Sequence, residues 1–219
     1  MKTSKASNYL WRALIYAVGT LCLSTGISIS AMTGLGVSCV SAVPYSIGVA
    51  TGLGFPVMTF IVYTIMVAMQ FALKGKNRQW RDLLQLPYNF VFSSLLDIIE
   101  KVLPLHFEKL WQNLLLLAIA VVLIALGMCF MMNMRVVANP PDSLVQVIGT
   151  KFKKDTGKVK MGLDAVCVAI ACSVDLIAHG RLTSIGLSTI ATMLLVGPIL
   201  TQFNRIFKAR ILTMAGLAE

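Results

Sequence analysis

Six apolar runs dominate the sequence and restrict what the chain can fold into. Each run is long enough to cross about 30 Å of hydrocarbon as a helix that rises about 1.5 Å per residue. The runs cover approximately residues 10–32, 55–73, 83–103, 113–132, 161–178 and 184–203. Only 13% of the residues are charged, whereas soluble domains average about a quarter. The pattern therefore predicts an all-α, polytopic membrane protein with six transmembrane helices.

The basic residues predict how the chain is oriented in the membrane. If the N-terminus is cytoplasmic and six helices span, 16 of the 19 Lys and Arg residues lie on the cytoplasmic side. Two further crossings would lower that number to 13. The positive-inside rule favours six spans, with both termini and a basic tail at 205–219 in the cytoplasm. The net charge of +10 then faces anionic lipid headgroups, and we expect no nucleic-acid partner.

The order of the apolar and broken segments occurs twice along the chain. Each half has one span, one broken segment and two further spans, and a shift of 101 residues aligns Gly26 with Gly127 and Gly48 with Gly149. Because each half has an odd number of spans, the second half enters the membrane upside down. We predict two inverted three-helix repeats related by a pseudo-two-fold axis in the membrane plane. The predicted repeats cover residues 1–104 and 105–204.

Two segments do not fit the list of spanning runs, and the first of them is too apolar for an exposed loop and too broken for a continuous helix. The first covers 33–54 and includes GLGVSCVSAVPYSIG, and the second covers 133–160 and includes NPPD. Backbone at membrane depth must be hydrogen-bonded, buried in protein or in contact with a water-filled cavity. Two interpretations stay open for both segments. They are broken or re-entrant helices whose tips meet near the midplane, or interfacial helices whose glycines only permit close packing.

Polar residues in apolar surroundings mark a candidate substrate- or ion-binding site. Short helices that start at the two tips would direct their N–H groups toward a shared cavity. Carboxylates in spanning helices are costly and often functional, and the i, i+4 spacing of Lys160 and Asp164 allows either a functional pair or a structural ion pair. Gln70 and Gln85 are further polar residues in or beside spans. The candidate site residues are Ser38, Ser41, Asp97, Asn139, Asp142, Ser143, Lys160 and Asp164.

The sequence contains no catalytic or metal-binding motif that would indicate another function. The sequence has no HExxH, GxSxG or P-loop pattern, so we expect no enzymatic activity. Its five cysteines lie in apolar settings without a CxxC pair and are expected to act as small packing residues. We therefore expect neither a metal site nor a cofactor.

Four stretches carry more specific patterns and together cover nearly the whole chain. They are GLGVSCVSAVPYSIG, LLQLPYNFVFSSLLDII, PPDSLVQVIGTKFKKDTGKVKMGLDAVCV and SIGLSTIATMLLVGPI. Their most specific patterns are QLP…F…D, KVK…D and GxxTxxxxxxxGP. Because of these patterns, the sequence resembles the YczE/YyaS/YitT family of bacterial integral membrane proteins. The resemblance implies a transporter in the bacterial plasma membrane, YczE-like and without the soluble C-terminal domain of YitT. Many relatives read GLGPWD where this sequence reads GLGVSC, so a Trp-Asp site is not carried over.

Three classes of function stay open at this point. The first is a secondary transporter or exporter of a small solute or ion, with its site between the repeats. The second is the substrate-binding membrane subunit of an energy-coupling-factor transporter. The sequence Ala13-x-x-x-Ala17 matches the docking pattern of those subunits, although small-xxx-small patterns are common in membrane helices. The third is a non-transporting membrane regulator, which needs no polar cavity. The expected partners are the lipid bilayer and a small solute or ion, and a homo-oligomer is left open.

Overall fold

Eight α-helices account for most of the chain in the computed structural model, which describes residues 5–77, 79–103, 105, 107–134 and 136–217. The helices are α1 Lys5–Met32, α2 Cys39–Thr51, α3 Phe55–Lys74, α4 Gln85–Val102, α5 Leu110–Met134, α6 Pro140–Phe152, α7 Thr156–His179 and α8 Leu187–Met214. The described residues contain no β-strand, which confirms the all-α prediction.

A few positions used in the sequence predictions lie outside the described residues. They are residues 1–4 of the predicted cytoplasmic N-terminus, Arg78 and Arg135 of the charge count, residue 104 at the end of the first predicted repeat, and the last two residues of the basic tail.

Five helices are long and apolar enough to cross a membrane, namely α1, α3, α5, α7 and α8. They coincide with five of the six predicted spans. α4 occupies the sixth predicted span but is not among the five, because its 18 residues include Asp97, Glu100 and Lys101. Large apolar side chains such as Ile119 and Leu194 are exposed on the outer faces, as a lipid environment requires. By the length and composition of its helices, the chain is an integral membrane protein.

The predicted boundary between the last span and a basic tail lies inside a helix. α8 continues through residues 204–205 to Met214, and Pro198 lies within it. After Pro198, the first strong helix breaker is Gly216, which adopts a positive φ of 65°. The residues expected to form the start of a tail therefore extend the helix.

Each predicted broken segment contains a 13-residue helix that follows a non-helical stretch. Thirteen residues span about 20 Å as a helix, less than the roughly 30 Å of a bilayer core. Before α2, Gly34 and Gly36 have positive φ angles of 65° and 90°, which other residues rarely adopt, and these angles allow the chain to turn. α2 and α6 have equal lengths and begin 101 residues apart, in the register that the sequence predicts.

α1 and α5 cross in close contact at glycines. A Cβ atom at Gly127 would lie 2.6 Å from the backbone nitrogen of Leu23, and one at Gly26 would lie 2.9 Å from that of Ile124. The crossing is antiparallel because the residue later in α1 meets the residue earlier in α5. Adding 101 to Leu23 and Gly26 gives Ile124 and Gly127, so the same offset exchanges the two contacts.

The other helix pairs follow the same exchange. α2 packs on α7 and α3 packs on α6, while α4 packs on α1 and α8 packs on α5. Two pairs depart from it in the described chain: α3 packs on α4 but α7 makes little contact with α8, and α1 contacts α8 but α4 makes little contact with α5. The main core includes Tyr63, Phe92, Leu96 and Leu144, and more of its buried residues come from α3 and α4 than from any other helix.

Candidate functional site

A cavity of about 370 Å³ lies where the N-terminal ends of α2 and α6 approach α1, α5, α7 and α8. Its polar lining residues are Ser38, Ser41, Tyr63, Asn139, Asp142, Lys160, Asp164 and Thr192. Six of the eight residues that the sequence singled out therefore line one cavity. A second cavity, of about 280 Å³, adjoins it and shares Leu23, Met128, Asn139 and Asp142.

The N-termini of the two short helices both face this cavity. Ser38 is the N-cap of α2 and Asn139 is the N-cap of α6, and both have extended backbone. Neither side chain accepts a capping hydrogen bond from a backbone N–H of its own helix. The Ser38 hydroxyl donates instead to Ser41 Oγ at 2.9 Å. Helix N-termini carry unpaired N–H groups and a partial positive charge, so both ends add to the electrostatics of the cavity.

Three charged side chains line the cavity. Lys160 Nζ lies 3.2 Å from Asp164 Oδ1, one turn apart on α7, and Asp142 comes from α6. The side chain of Asp164 is 15% exposed, and its distance to Lys160 describes an ion pair without good hydrogen-bond geometry. The three side chains together carry a charge of −1.

One buried acceptor atom at the cavity lacks a partner. Asn139 Oδ1 accepts no hydrogen bond from the described residues, whereas Asp164 Oδ1 is paired with the Lys160 ammonium group at 3.2 Å. Buried polar atoms without a partner cost free energy, and a ligand that donates hydrogen bonds removes that cost. No group of three or more His, Cys, Asp or Glu residues in the described ranges is arranged to hold a metal ion. The arrangement therefore suits a small organic ligand or a monovalent ion better than a coordinated metal.

Twelve of the twenty lining residues form six pairs at the offset of 101 residues. The pairs are Leu23 with Ile124, Ile27 with Met128, Ser38 with Asn139, Val40 with Pro141, Ser41 with Asp142, and Tyr63 with Asp164. The sequence predictions missed Tyr63, which is 2% exposed, because a tyrosine in an apolar helix gives no distinctive signal. The offset applied to Asp164 would have found it.

Asp97 does not join the cavity. It lies near the exposed end of α4, where its carboxylate is 2.7 Å from Lys101 Nζ and its side chain is 45% exposed. An i, i+4 ion pair at that position accounts for the charge without a role in binding.

Ser143 also lies away from the cavity, in a buried hydrogen-bond network between α3, α4 and α6. Its hydroxyl donates to Gln70 Oε1 at 2.8 Å and accepts from Gln85 Nε2 at 3.3 Å. Gln70 Nε2 also donates to the carbonyl of Pro140 at 3.0 Å. This network, the Gln70 clamp, holds the N-terminal turn of α6 in place, so Ser143 positions the site and does not line it.

A different set of contacts holds the N-terminal end of α2. The Val37 N–H donates to the Ser184 carbonyl at 2.9 Å, and the Thr189 hydroxyl donates to the Val37 carbonyl at 2.6 Å. Gly36 packs on Gly186 so closely that a Cβ atom at Gly36 would lie 2.5 Å from the Gly186 nitrogen. The glycines and threonine noted in the sequence therefore attach the start of α2 to the turn before α8.

Comparison with known proteins gives one match. A model of a family of unknown function, DUF6198, matches residues 10–205. No curated protein and no solved structure matches the chain. The resemblance to the YczE/YyaS/YitT family stays a prediction. Since the family model covers most of the sequence, the chain belongs to the DUF6198 family.

Proposed function

We propose that the chain is a secondary transporter or exporter of a small solute, without enzymatic activity of its own. One observation carries the proposal: two short helices, equal in length and 101 residues apart, begin at one cavity, and twelve of its twenty lining residues form pairs at the same offset. Transporters built from inverted repeats commonly place the substrate at the repeat interface, beside the N-termini of broken helices.

The proposal includes six spanning helices in two inverted three-helix repeats. The antiparallel crossing of α1 and α5 supports this topology, because the exchange of Leu23 and Gly26 with Ile124 and Gly127 describes a two-fold relation. A two-fold axis that exchanges antiparallel membrane helices lies perpendicular to both, and hence in the membrane plane. α4 would be the sixth span, with Asp97 and Lys101 paired near its end.

The location is part of the same proposal. The distribution of basic residues favours cytoplasmic termini, and the resemblance to the YczE/YyaS/YitT family implies a bacterial plasma membrane. α2 and α6 would then enter the bilayer from opposite sides and end in protein, where backbone that does not span is tolerated.

A substrate-binding subunit of an energy-coupling-factor transporter is the second candidate, since it too would need a polar cavity. It differs from a transporter in that binding requires access from one side of the membrane only. A regulator without a solute requires no accessible cavity at all. Access to the cavity from the two sides therefore separates the three classes.

A cysteine-accessibility experiment tests the proposal without knowledge of the solute. Native Cys39 lines the cavity, and Asn139→Cys would add a second thiol beside the other helix end. Sealed right-side-out and inverted vesicles are treated with a membrane-impermeant cationic thiol reagent, and mass spectrometry reads the modification at each cysteine. Cys129, which is buried away from both cavities, is the internal control.

A transporter should be modified at Cys39 and at the Asn139→Cys position from both sides, because the cavity alternates its access, while Cys129 stays unmodified. Modification of both positions in only one of the two vesicle orientations would favour the binding subunit. If neither position reacts from either side, no solute reaches the cavity and the transporter proposal is overturned.

A further inference from the structure

The two helix ends at the cavity differ in chemistry. The first three residues of α2 all carry N–H groups, and the first turn of that helix contains no acidic residue. α6 begins with Pro140 and Pro141, which have no N–H group, and Asp142 follows in the same turn. The α2 end therefore offers hydrogen-bond donors and a partial positive charge, whereas the α6 end offers a carboxylate.

Hydroxyl groups strengthen the donor character of the α2 end. Ser38 and Ser41 both line the cavity beside the free N–H groups, and Ser41 is 2% exposed. A carboxylate is the anion that such a small, partly apolar pocket accepts most readily, because N–H and O–H donors can bind its two oxygens.

Acceptor groups dominate the α6 end. Asp142 carries a charge that no cation in the described chain neutralises at ion-pair distance, since Lys160 pairs with Asp164. Asn139 Oδ1 is a buried acceptor without a donor among the described residues. A ligand that satisfies this end must bring several N–H donors and a positive charge, as an ammonium group does.

The charges balance for a ligand that is neutral overall. The three charged side chains carry a net charge of −1, and each of the two helix N-termini contributes roughly half a positive charge. The lining is thus close to neutral in total but polarised between its two ends. That distribution matches a zwitterion better than a free anion or a free cation.

The rest of the lining is apolar and adaptable. It includes Met128, Met161, Met193, Val196 and Leu200. Methionine side chains adjust to irregular apolar groups, and the volume of about 370 Å³ is near the lower end of small-ligand pockets. This surface leaves space for an aliphatic group of the ligand.

We propose that the cavity binds an amino acid with an aliphatic side chain, its carboxylate at the α2 end and its ammonium group at Asp142 and Asn139. The inference rests on the proposed function, because it names the solute that the transporter would carry. The Lys160–Asp164 pair closes the α7 wall, and the methionines contact the side chain of the ligand.

Three matched probes test the ligand class on the purified full chain in nanodiscs. They are L-leucine, 4-methylpentanoate, which lacks the amino group, and 3-methylbutylamine, which lacks the carboxylate. Binding is measured by isothermal titration and by the rise in melting temperature, since a ligand that binds the native state stabilises it by mass action. L-leucine should bind at least about tenfold more tightly than either truncated probe, because each truncated probe leaves one end of the cavity without a charged partner.

Two variants test which helix end binds the ammonium group of the ligand and which binds its carboxylate. Asp142→Asn should weaken L-leucine and the amine by about tenfold and leave 4-methylpentanoate unchanged, whereas Ser41→Ala should weaken L-leucine and the carboxylate and leave the amine unchanged. Asp97→Asn, outside the cavity, is the matched control and should change none of the three. Melting temperatures without ligand show whether each variant is folded, and the three probes on the unmodified chain test the proposal independently of the variants.

Several results would overturn the inference. Equal binding of the amine and L-leucine would indicate a cation site, and equal binding of the carboxylate and L-leucine would indicate an anion site. Absence of binding by all three probes would reject an aliphatic amino acid. That failure is distinct from failure of the transporter proposal, because modification of Cys39 from both sides of the membrane does not depend on the ligand.

Discussion

The α3–α4 and α7–α8 connections occupy corresponding places in the two halves, yet different chemistry holds each of them. Lys74 at the end of α3 forms a 2.7 Å ion pair with Asp82, with side chains 24% and 13% exposed. The residues 101 positions later are Asp175 and Thr183. Asp175 is fully buried and accepts four hydrogen bonds, from the backbone N–H and hydroxyl groups of Thr183 and Ser184. One architecture thus carries a partly exposed ion pair in one half and a buried carboxylate in the other.

The contact between α3 and α4 also differs in chemistry from the contact between α7 and α8. Gln70 and Gln85 exchange hydrogen bonds of 3.2 and 3.0 Å between α3 and α4. Counted from the helix starts, their counterparts are Ala171 and Leu187, whose side chains form no hydrogen bonds. In lipid, apolar contact alone gives helices little reason to associate. The polar clamp therefore keeps α3 on α4, while α7 and α8 stay apart and the cavity extends between them.

The close crossing of α1 and α5 is the feature that the two halves share, and its disruption should have the largest effect. Gly127→Ala and Gly26→Ala should each lower the free energy of unfolding by about 2–3 kcal/mol, because the added methyl group meets backbone of the partner helix. The two losses should be similar, since the same offset relates the two contacts. Thermal and denaturant unfolding in detergent would measure them.

Gly162→Ala is the matched control for the crossing. Gly162 lies on α7 with no heavy atom within 4 Å of an added Cβ, so alanine should be neutral or stabilise the helix by up to about 1 kcal/mol. If Gly127→Ala and Gly162→Ala change the free energy of unfolding equally, α1 and α5 do not cross in close contact at Gly127. The crossing would then no longer relate the two halves of the chain.

The Gln70 clamp is where the halves differ, and its loss should be the next largest effect. Gln70→Leu should lower the free energy of unfolding by about 2 kcal/mol, because Gln85, Ser143 and the Pro140 carbonyl lose their partner inside the protein. The double variant Gln70→Leu/Gln85→Leu should recover part of the loss, since it removes unsatisfied groups at both positions.

Met69→Leu is the control for the clamp, because Met69 is the exposed neighbour of Gln70 on α3. It should leave the unfolding free energy within about 0.5 kcal/mol of the unmodified chain. An equally small effect of Gln70→Leu would mean that the clamp does not account for the contact of α3 with α4, and that another cause must separate α7 from α8.

The site was predictable from the sequence where local chemistry decides the geometry. Glycine and proline marked both broken segments, and the first of them also lacks charge, whereas the start of each short helix and its N-capping residue come from the structure. Side-chain direction was not predictable in the same way. Ser143 follows Asp142 on a helix, so its side chain points about 100° away, and it bonds to Gln70 and Gln85 instead of lining the cavity. Asp97 shows the same limit, since no local pattern tells which face of α4 points away from the cavity.

The smallest expected effects come from the two connections, and they separate a buried from an exposed charge. Asp175→Asn should lower the free energy of unfolding by about 1.5 kcal/mol, because an amide has one acceptor oxygen for the four donors of Thr183 and Ser184. Asp82→Asn should cost less than about 1 kcal/mol, since its ion pair with Lys74 is accessible to solvent.

Salt provides the discriminating measurement between these two carboxylates. The effect of Asp82→Asn should shrink as the salt concentration rises, whereas that of Asp175→Asn should not, because buried groups are screened little. Hydrogen exchange should also increase in the stretch before α2 for Asp175→Asn, since the Val37 N–H bonds to the Ser184 carbonyl beside this network. Equal losses with equal salt dependence would show that the two connections are held by the same kind of interaction, contrary to the difference between the halves.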